Sequence, residues 1–528
     1  MASIAESEAE GLVAAAQARP QGGRTAWIAL FVLALANVLN YLDRHIVSIL
    51  AESIKADLKL DDAQLGFLLG TAFAVFYSIV GIAMGGIADR LSRKKVMAFG
   101  LALWSAMTAL GGTAGSFAVL SIARIGVGVG EAAANPCSQS LAADLIPAKR
   151  RATAMGVLMS GIFVGSALAL VIGGWFVERW DQVCGQVPLA LACDLAPWQA
   201  ALFAVGLPGI PLALVILLIH EPVRPRNAGR SSTGVILTEF AAALPPFTFF
   251  TAARLGGPRG LMLNVGFAVA VAVAALLLIA LTGDLAQWAS FALGAYAVMT
   301  WGQVQSYRDK PLFRLTFGDK TFAMSVAASA LVACIGGAVS TWVAPYAMRT
   351  FSLSPTQLGA SLGGLHTVGA LMGVLLGGWL TDKWKQRDLR APLGTTAMSL
   401  GGVVILVPIL LFVSSIEAFL TVYFLLAIAT ALWSGAIAAL IQDLVITRMR
   451  GSAAASFSLV SIVVASGLGP YWAGKVSAVT GSLTTGMLSL LLLAIPAALM
   501  LYLAGRRLPT ETPEARAALA AAAGEPAE

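Results

Sequence analysis

Four ionisable residues stand where a hydrocarbon setting should exclude them. One stretch reads Asn40-Tyr41-Leu42-Asp43-Arg44-His45, and another reads Arg124-Ile-Gly126-Val-Gly128-Val-Gly130-Glu131-Ala132; both lie inside long apolar runs. Charges in a membrane interior are costly and mark substrate or ion pathways. Arg124 and Glu131 are two helical turns apart, so they share a helix face about 10 Å apart. The four formal charges sum to zero. A carboxyl group in a low dielectric favours its neutral form, and a nearby guanidinium favours the ionised one. The protonation of Asp43 or Glu131 therefore depends on whether Arg44 or Arg124 is engaged elsewhere, for example by an anionic substrate. This is the chemistry of proton coupling, with Asp43 and Glu131 as carriers. Arg44 and Arg124 are the anion anchors or charge partners, with Asn40 and Tyr41 as further substrate contacts. The bland alternative is a neutral cluster that only fixes helix register, although burying ion pairs rarely gains stability. Gly126, Gly128 and Gly130 let the second stretch approach a neighbouring helix closely.

The elements that must hold these groups are membrane helices. Of 528 residues, 58% are hydrophobic and 12% charged, against roughly 25% charged in a soluble domain. A spanning helix needs about 20 apolar residues. Six such stretches come first, at 26–50, 64–88, 96–113, 117–141, 153–176 and 198–220. Two follow at 261–282 and 285–304, and six more at 321–348, 358–380, 393–413, 418–441, 456–476 and 487–503. The expectation is an all-α polytopic protein of 14 spans. The runs lack the period of two that a membrane barrel requires.

Charge placement gives the expected orientation. With the N-terminus cytoplasmic, 27 of the 34 Lys and Arg fall in cytoplasmic segments, five in outer ones and two inside spans. That asymmetry is the positive-inside pattern, and it also accounts for the net charge of +7 without nucleic acid. Residues 1–24 carry Glu6, Glu8 and Glu10 and no apolar core, unlike a secretory signal. Cys184 and Cys193 share an outer loop, where a disulfide and two free thiols are both open readings.

The chain repeats itself. Gly85-x-x-x-Asp89-Arg90-x-x-Arg93-Lys94-Lys95 follows the second span, and Gly378-x-x-x-Asp382-Lys383-x-Lys385-x-Arg387 follows the second span of the last six. Asp144 through Arg151 after the fourth span matches Asp443 through Arg450 in the other half. An Asp at one helix end can latch onto an Arg of its neighbour, so Asp89, Arg90, Asp144, Arg151, Asp382, Asp443 and Arg450 are candidate conformational latches.

The Gly-x-x-x-Asp-Arg loop and the six-plus-six repeat resemble the major facilitator superfamily, with Ser92 where that motif usually has Gly. The resemblance implies two six-helix bundles around a central cavity lined by the first and fourth helix of each half. Within the superfamily, Asn40-Tyr41-Leu42-Asp43-Arg44 with Gly128-Val-Gly130-Glu131-Ala132 is similar to the spinster-like branch and to the anion:cation symporters. Gly165 through Gly174, Ile441-Gln442-Asp443 with Arg448-Met-Arg450, and Gly467-Leu-Gly469-Pro470 resemble spinster-like positions. That branch implies a proton-linked carrier of lysophospholipids or sphingoid lipids, with coupling at Asp43, Arg44 and Glu131. The symporter branch implies small organic anions instead.

The expected organisation is a cytoplasmic tail at 1–24, an N-terminal bundle at 25–221, and a cytoplasmic linker with an inserted two-helix hairpin at 222–318. A C-terminal bundle at 319–507 and a disordered cytoplasmic tail at 508–528 complete it. The hairpin is expected to be peripheral to transport. Trp342, Tyr346, His366, Trp433 and Ser434 are the candidate cavity wall of the second half, with His366 a second titrating group. No His-Glu-x-x-His site occurs, and with three His in all the chain is expected to be no enzyme. A receptor built on a transporter scaffold would have no need for the coupling charges. The remaining expectations are a monomer in the cell membrane, both termini cytoplasmic, with no cofactor beyond a proton gradient.

Overall fold

The computed structural model describes residues 23–147, 150–187, 192–221, 232–245, 247–351, 353–446 and 449–524. The side chain of Asp89, the linker arginines 224, 226 and 230, and Lys149 and Arg448 lie outside the described residues, as does the acidic segment before residue 23. The N-terminal half is α1 (Arg24–Leu58), α2 (Asp62–Ala88), α3 (Arg93–Gly111), α4 (Phe117–Leu145), α5 (Arg151–Val183) and α6 (Pro197–Leu218). The insertion is α7 (Ser232–Ala243), α8 (Phe247–Thr282), α9 (Leu285–Arg308) and α10 (Lys310–Leu315). The C-terminal half is α11 (Lys320–Thr350), α12 (Pro355–Lys385), α13 (Ala391–Phe412), α14 (Ile416–Asp443), α15 (Arg450–Thr480) and α16 (Leu483–Thr510), followed by α17 (Pro513–Ala522). Twelve of these helices are long and apolar enough to cross a membrane. The other two expected spans are present as α3 and α9, whose charged or polar residues lower their hydropathy.

Local chemistry sets the helix ends. Asp61 and Gln64 form a capping box that starts α2, Asp61 Oδ1 accepting from Gln64 N at 2.7 Å and Gln64 Oε1 from Asp61 N at 3.1 Å. Asp319 caps α11 by accepting from Phe322 N at 2.7 Å. Pro208 interrupts α6 between Gly206 and Gly209, as a residue lacking a backbone donor must. The fourth span of each half is broken near its middle. In α4 regular helix runs to Glu131 and resumes at Ala134; in α14 it runs to Ala431 and resumes at Trp433. Helices α1 and α5 pack so closely that a Cβ on Gly165 would clash with the Val38 carbonyl oxygen.

The halves touch towards the face opposite the chain ends. Arg349 of α11 binds Glu52 of α1 at 2.7 Å and Asp62 of α2 at 2.8 Å. Lys55 and Ser477 also bind Asp62, each at 2.6 Å. Thr356 N donates to Glu178 at 3.2 Å, and Ser48 Oγ donates to the Thr341 carbonyl at 2.5 Å. On the face carrying the chain ends, the pairs Arg93–Asp144 and Lys385–Asp443, both 2.6 Å, each stay within one half.

One expectation needs correction. Residues 508–524 are ordered rather than disordered: Thr512 caps α17, and Arg516 is buried between Asp319 at 3.1 Å and Glu511 at 3.0 Å. Composition alone missed this because one arginine among alanines carries the anchoring. Breaking a buried pair leaves an uncompensated charge, at about 3–5 kcal/mol. Arg516→Ala is therefore expected to release α17, read as loss of amide hydrogen-exchange protection over 513–522 while α11 keeps its own. The inserted pair lies on the outside, with the apolar stretch of α8 unburied, but α9 packs on both halves: Trp288 lies against Ala63 and Tyr471, and Gly294 faces Val75 and Val463.

Candidate functional site

The site lies on α1, α2 and α4, with α11, α12, α14 and α15 opposite. Arg44 Nη2 donates to Glu131 Oε2 at 2.8 Å, and its Nε donates to the same oxygen at 3.3 Å. The Glu131 side chain is fully buried, whereas 21% of the Arg44 side chain is exposed. The guanidinium is ringed by aromatics, with Phe73 at 4.6 Å, Tyr77 at 4.8 Å and Tyr41 at 4.9 Å. Such rings stabilise a cation as it loses water. Asn135 Nδ2 donates to Tyr77 Oη at 3.1 Å and fixes that ring. Asn40 faces Glu131, yet both ends of its buried amide lack a hydrogen-bond partner, as does Glu131 Oε1.

Arg124 is buried, stacks on Phe73 at 5.4 Å, and donates to backbone oxygens of Leu68 at 3.3 Å and Asp43 at 3.4 Å. Asp43 points away from the interface between the halves. It faces Trp104 and Thr108 of α3, and Asp43 Oδ1, Trp104 Nε1 and Thr108 Oγ1 are all buried without a hydrogen-bond partner. A Cβ on Gly130 would lie 2.7 Å from Trp104 N, so the glycines of α4 bring α3 into this packing. Adjacent residues on a helix diverge by about 100°, so Asp43 and Arg44 cannot face the same space.

A cavity of about 360 Å³ lies between the halves. From the N-terminal half it is lined by Arg44, His45, Ser48, Leu69, Gly70 and Phe73. The facing wall is largely apolar, with Ala333, Gly336, Ala370, Trp433 and Ile462 beside the polar Ser340, Thr341, His366, Thr430 and Ser466. His45 and His366 enter from opposite halves, and His366 Nδ1 lies 3.3 Å from Tyr423 Oη.

The comparisons with known proteins fit this arrangement. The model of the Major Facilitator Superfamily matches residues 33–343. The chain belongs to that superfamily. An "MFS-type efflux pump" of Mycolicibacterium smegmatis is 28% identical over 91% of both chains. "Protein spinster" of Drosophila melanogaster is 30% identical over 39% of this chain and 32% of its own length. The match to the "Sphingosine-1-phosphate transporter SPNS2" of Danio rerio, 32% identical, covers 28% of this chain and 30% of that protein. The chain therefore spans about a third of these spinster relatives. In fold it resembles the crystal structure of a bacterial homologue of the human lysosomal transporter Spinster, in an inward-facing, unoccupied conformation. The TM-score is 0.69 at 22% identity, covering 93% of this chain and 99% of that one.

As a transporter of the Major Facilitator Superfamily, the chain keeps some expected site residues and relocates others. Arg44 and Trp433 line the cavity; Glu131 is bound behind Arg44. Tyr41 packs on Arg44 beside the cavity rather than in its wall. Trp342 and Tyr346 do not line it. Trp342 is buried and donates to the Pro470 carbonyl at 2.9 Å; Tyr346 donates to the Leu411 carbonyl at 2.7 Å. Trp342 follows the cavity residues Ser340 and Thr341 but turns towards α15, whereas Tyr346 sits more than a turn farther along α11.

The superfamily loops also pair differently from expectation. Arg93 binds Asp144 and, at 3.1 Å, Glu221; Arg90 pairs with Glu239 of α7. Burial raises the Glu221 carboxyl, but hydrogen bonds from Ser92 and Arg93 outweigh it and hold the group below the usual carboxylate range. Arg151 donates to the Ala143 carbonyl at 2.9 Å. Asp443 takes Lys385 rather than Arg450, which is exposed; Asp382 is exposed with no ion pair among the described residues. Cys184 and Cys193 form a disulfide. Phe73, Tyr77 and Asn135 were missed, although Phe73 and Tyr77 share a face of α2 at a spacing of four.

Proposed function

We propose that the chain is a proton-coupled secondary transporter working by alternating access. Its cargo is an amphipathic lipid of the lysophospholipid or sphingoid type, or another hydrophobic anion. The supporting observation is the two-sided cavity: Arg44, held by Glu131, on one wall and a largely apolar surface on the other. A headgroup phosphate or carboxylate would pair with Arg44 and leave Glu131 free to take a proton. The aromatic ring around Arg44 keeps the guanidinium in place as its partner changes. Asp43, dry and behind α1, acts with Arg124 as a secondary proton site or a structural charge. The segregation of Lys and Arg supports a cell-membrane protein with both termini cytoplasmic. In that orientation the arrangement of α1–α16 corresponds to an inward-open state.

The second reading is a proton-coupled symporter of small organic anions. Arg44 would anchor a carboxylate equally well. The "Probable L-galactonate transporter" of Escherichia coli matches at 29% identity over 37% of this chain and 39% of its own length. Flux into proteoliposomes under an imposed pH gradient decides between them, using a panel of lysolipids and sugar acids. Gradient-dependent uptake of lysolipids is expected. Uptake confined to sugar acids establishes the symporter, and uptake indifferent to the gradient removes proton coupling.

A further inference from the structure

Two seams run between the halves and could open to the bilayer. They differ. At the α5–α12 seam, contact is confined to the part away from the chain ends: Gly359 against Leu170, Gly363 against Ala167, and Thr367 donating to the Phe163 carbonyl at 3.3 Å. Towards the chain ends the same face of α5 carries Ser160 and Gly156. Both are exposed, and a Cβ on Gly156 would meet nothing within 4 Å. Two turns beyond Gly363, Ala370 has become cavity wall.

The α2–α15 seam is filled along its depth by α9. Near the far face, Asp284 binds Lys475 and Tyr471, each at 2.7 Å. Deeper, Gln287 accepts from Thr71 of α2 at 2.6 Å and donates to the Gly467 carbonyl of α15 at 3.3 Å. The single glutamine therefore joins both halves. Deeper still, Trp301 packs with Leu459 and Val463 of α15 and Ile82 of α2. At the chain-end face α7 continues the cover, with Glu239 paired to Arg90.

We propose that the inserted helices seal the α2–α15 seam, so that the cavity exchanges with the bilayer only between α5 and α12. The inference builds on the amphiphile reading by giving the cargo a single lateral route. The insertion is tied to both halves: Asp284 pairs with Lys475 of α15, Gln287 bonds Thr71 of α2, and Glu239 pairs with Arg90 just past the end of α2.

The test uses single-cysteine variants in proteoliposomes with a lysophosphatidylcholine bearing a maleimide at its chain end. Ser160→Cys is expected to react at least tenfold faster than Val463→Cys. Adding Asp284→Asn and Gln287→Ala to Val463→Cys should raise its rate several-fold by loosening the seal. Equal rates at the two cysteines, or a Val463→Cys rate unmoved by the loosening changes, would overturn the proposal. Labelling needs no transport, so absent lysolipid flux defeats the amphiphile reading separately. Melting curves confirm that each variant is folded.

Discussion

Glu131→Gln is expected to abolish accumulation against a gradient, by at least a hundredfold, while exchange of substrate across the membrane continues. The glutamine keeps a hydrogen-bond acceptor for Arg44 but cannot ionise, so the step that releases a proton is lost. A hundredfold loss corresponds to about 2.7 kcal/mol, within reach of one charge-assisted hydrogen bond, about 1.5–3 kcal/mol. Arg44→Ala should be worse. Glu131 is fully buried, and an uncompensated buried charge costs about 3–5 kcal/mol, so it would become protonated and remain so. Arg44→Lys separates charge from geometry: a lysine restores the charge but loses the planar fit among Phe73, Tyr77 and Tyr41. Uptake and counterflow measured side by side read both effects. Full accumulation by Glu131→Gln would remove this residue from the coupling reaction.

The second large effect belongs to Arg349. It is the cation that joins Glu52 and Asp62 across the halves. Arg349→Ala removes charge-assisted bonds worth about 1.5–3 kcal/mol, enough for a roughly ten- to hundredfold shift towards the state in which that face is open. Spin labels at Lys59 and Thr480, both exposed on that face, should report a longer distance population absent from the unmodified protein. An unchanged distance distribution would mean that the other contacts between the halves, Ser477–Asp62 and Thr356–Glu178 among them, hold the face closed without this clamp.

Much of the fold was legible because its signals are summed over many residues. Twenty apolar positions in a row specify a span whatever any one of them does, and the Lys and Arg bias sets the loops. The candidate site was legible where a single residue breaks the hydrocarbon rule, as at Arg44 and Glu131. It was not legible where direction around a helix decides. Asp43 and Arg44 are neighbours in sequence, yet one faces the cavity and the other faces α3. Trp342 has suitable chemistry but points to α15, and Tyr346 lies at the wrong depth. Gln287 carries no sequence signal of its own, because its partners Thr71 and Gly467 lie on helices far away in sequence. The order of α17 rests on Arg516 reaching Asp319, which composition cannot register.

The break in α14 has a chemical consequence. Side-chain hydroxyls bond the carbonyls around it: Thr430 Oγ1 donates to the Ala427 carbonyl at 3.1 Å and Ser434 Oγ to the Ala431 carbonyl at 2.9 Å. Thr430, Ala431 and Trp433 flank this break and line the cavity. A hydroxyl that donates keeps lone pairs for accepting, so Thr430 gives this wall an oxygen acceptor across the cavity from Arg44. A cargo with a hydroxyl or ammonium a few bonds from its acidic group could satisfy both walls at once, whereas a plain fatty acid could satisfy only one.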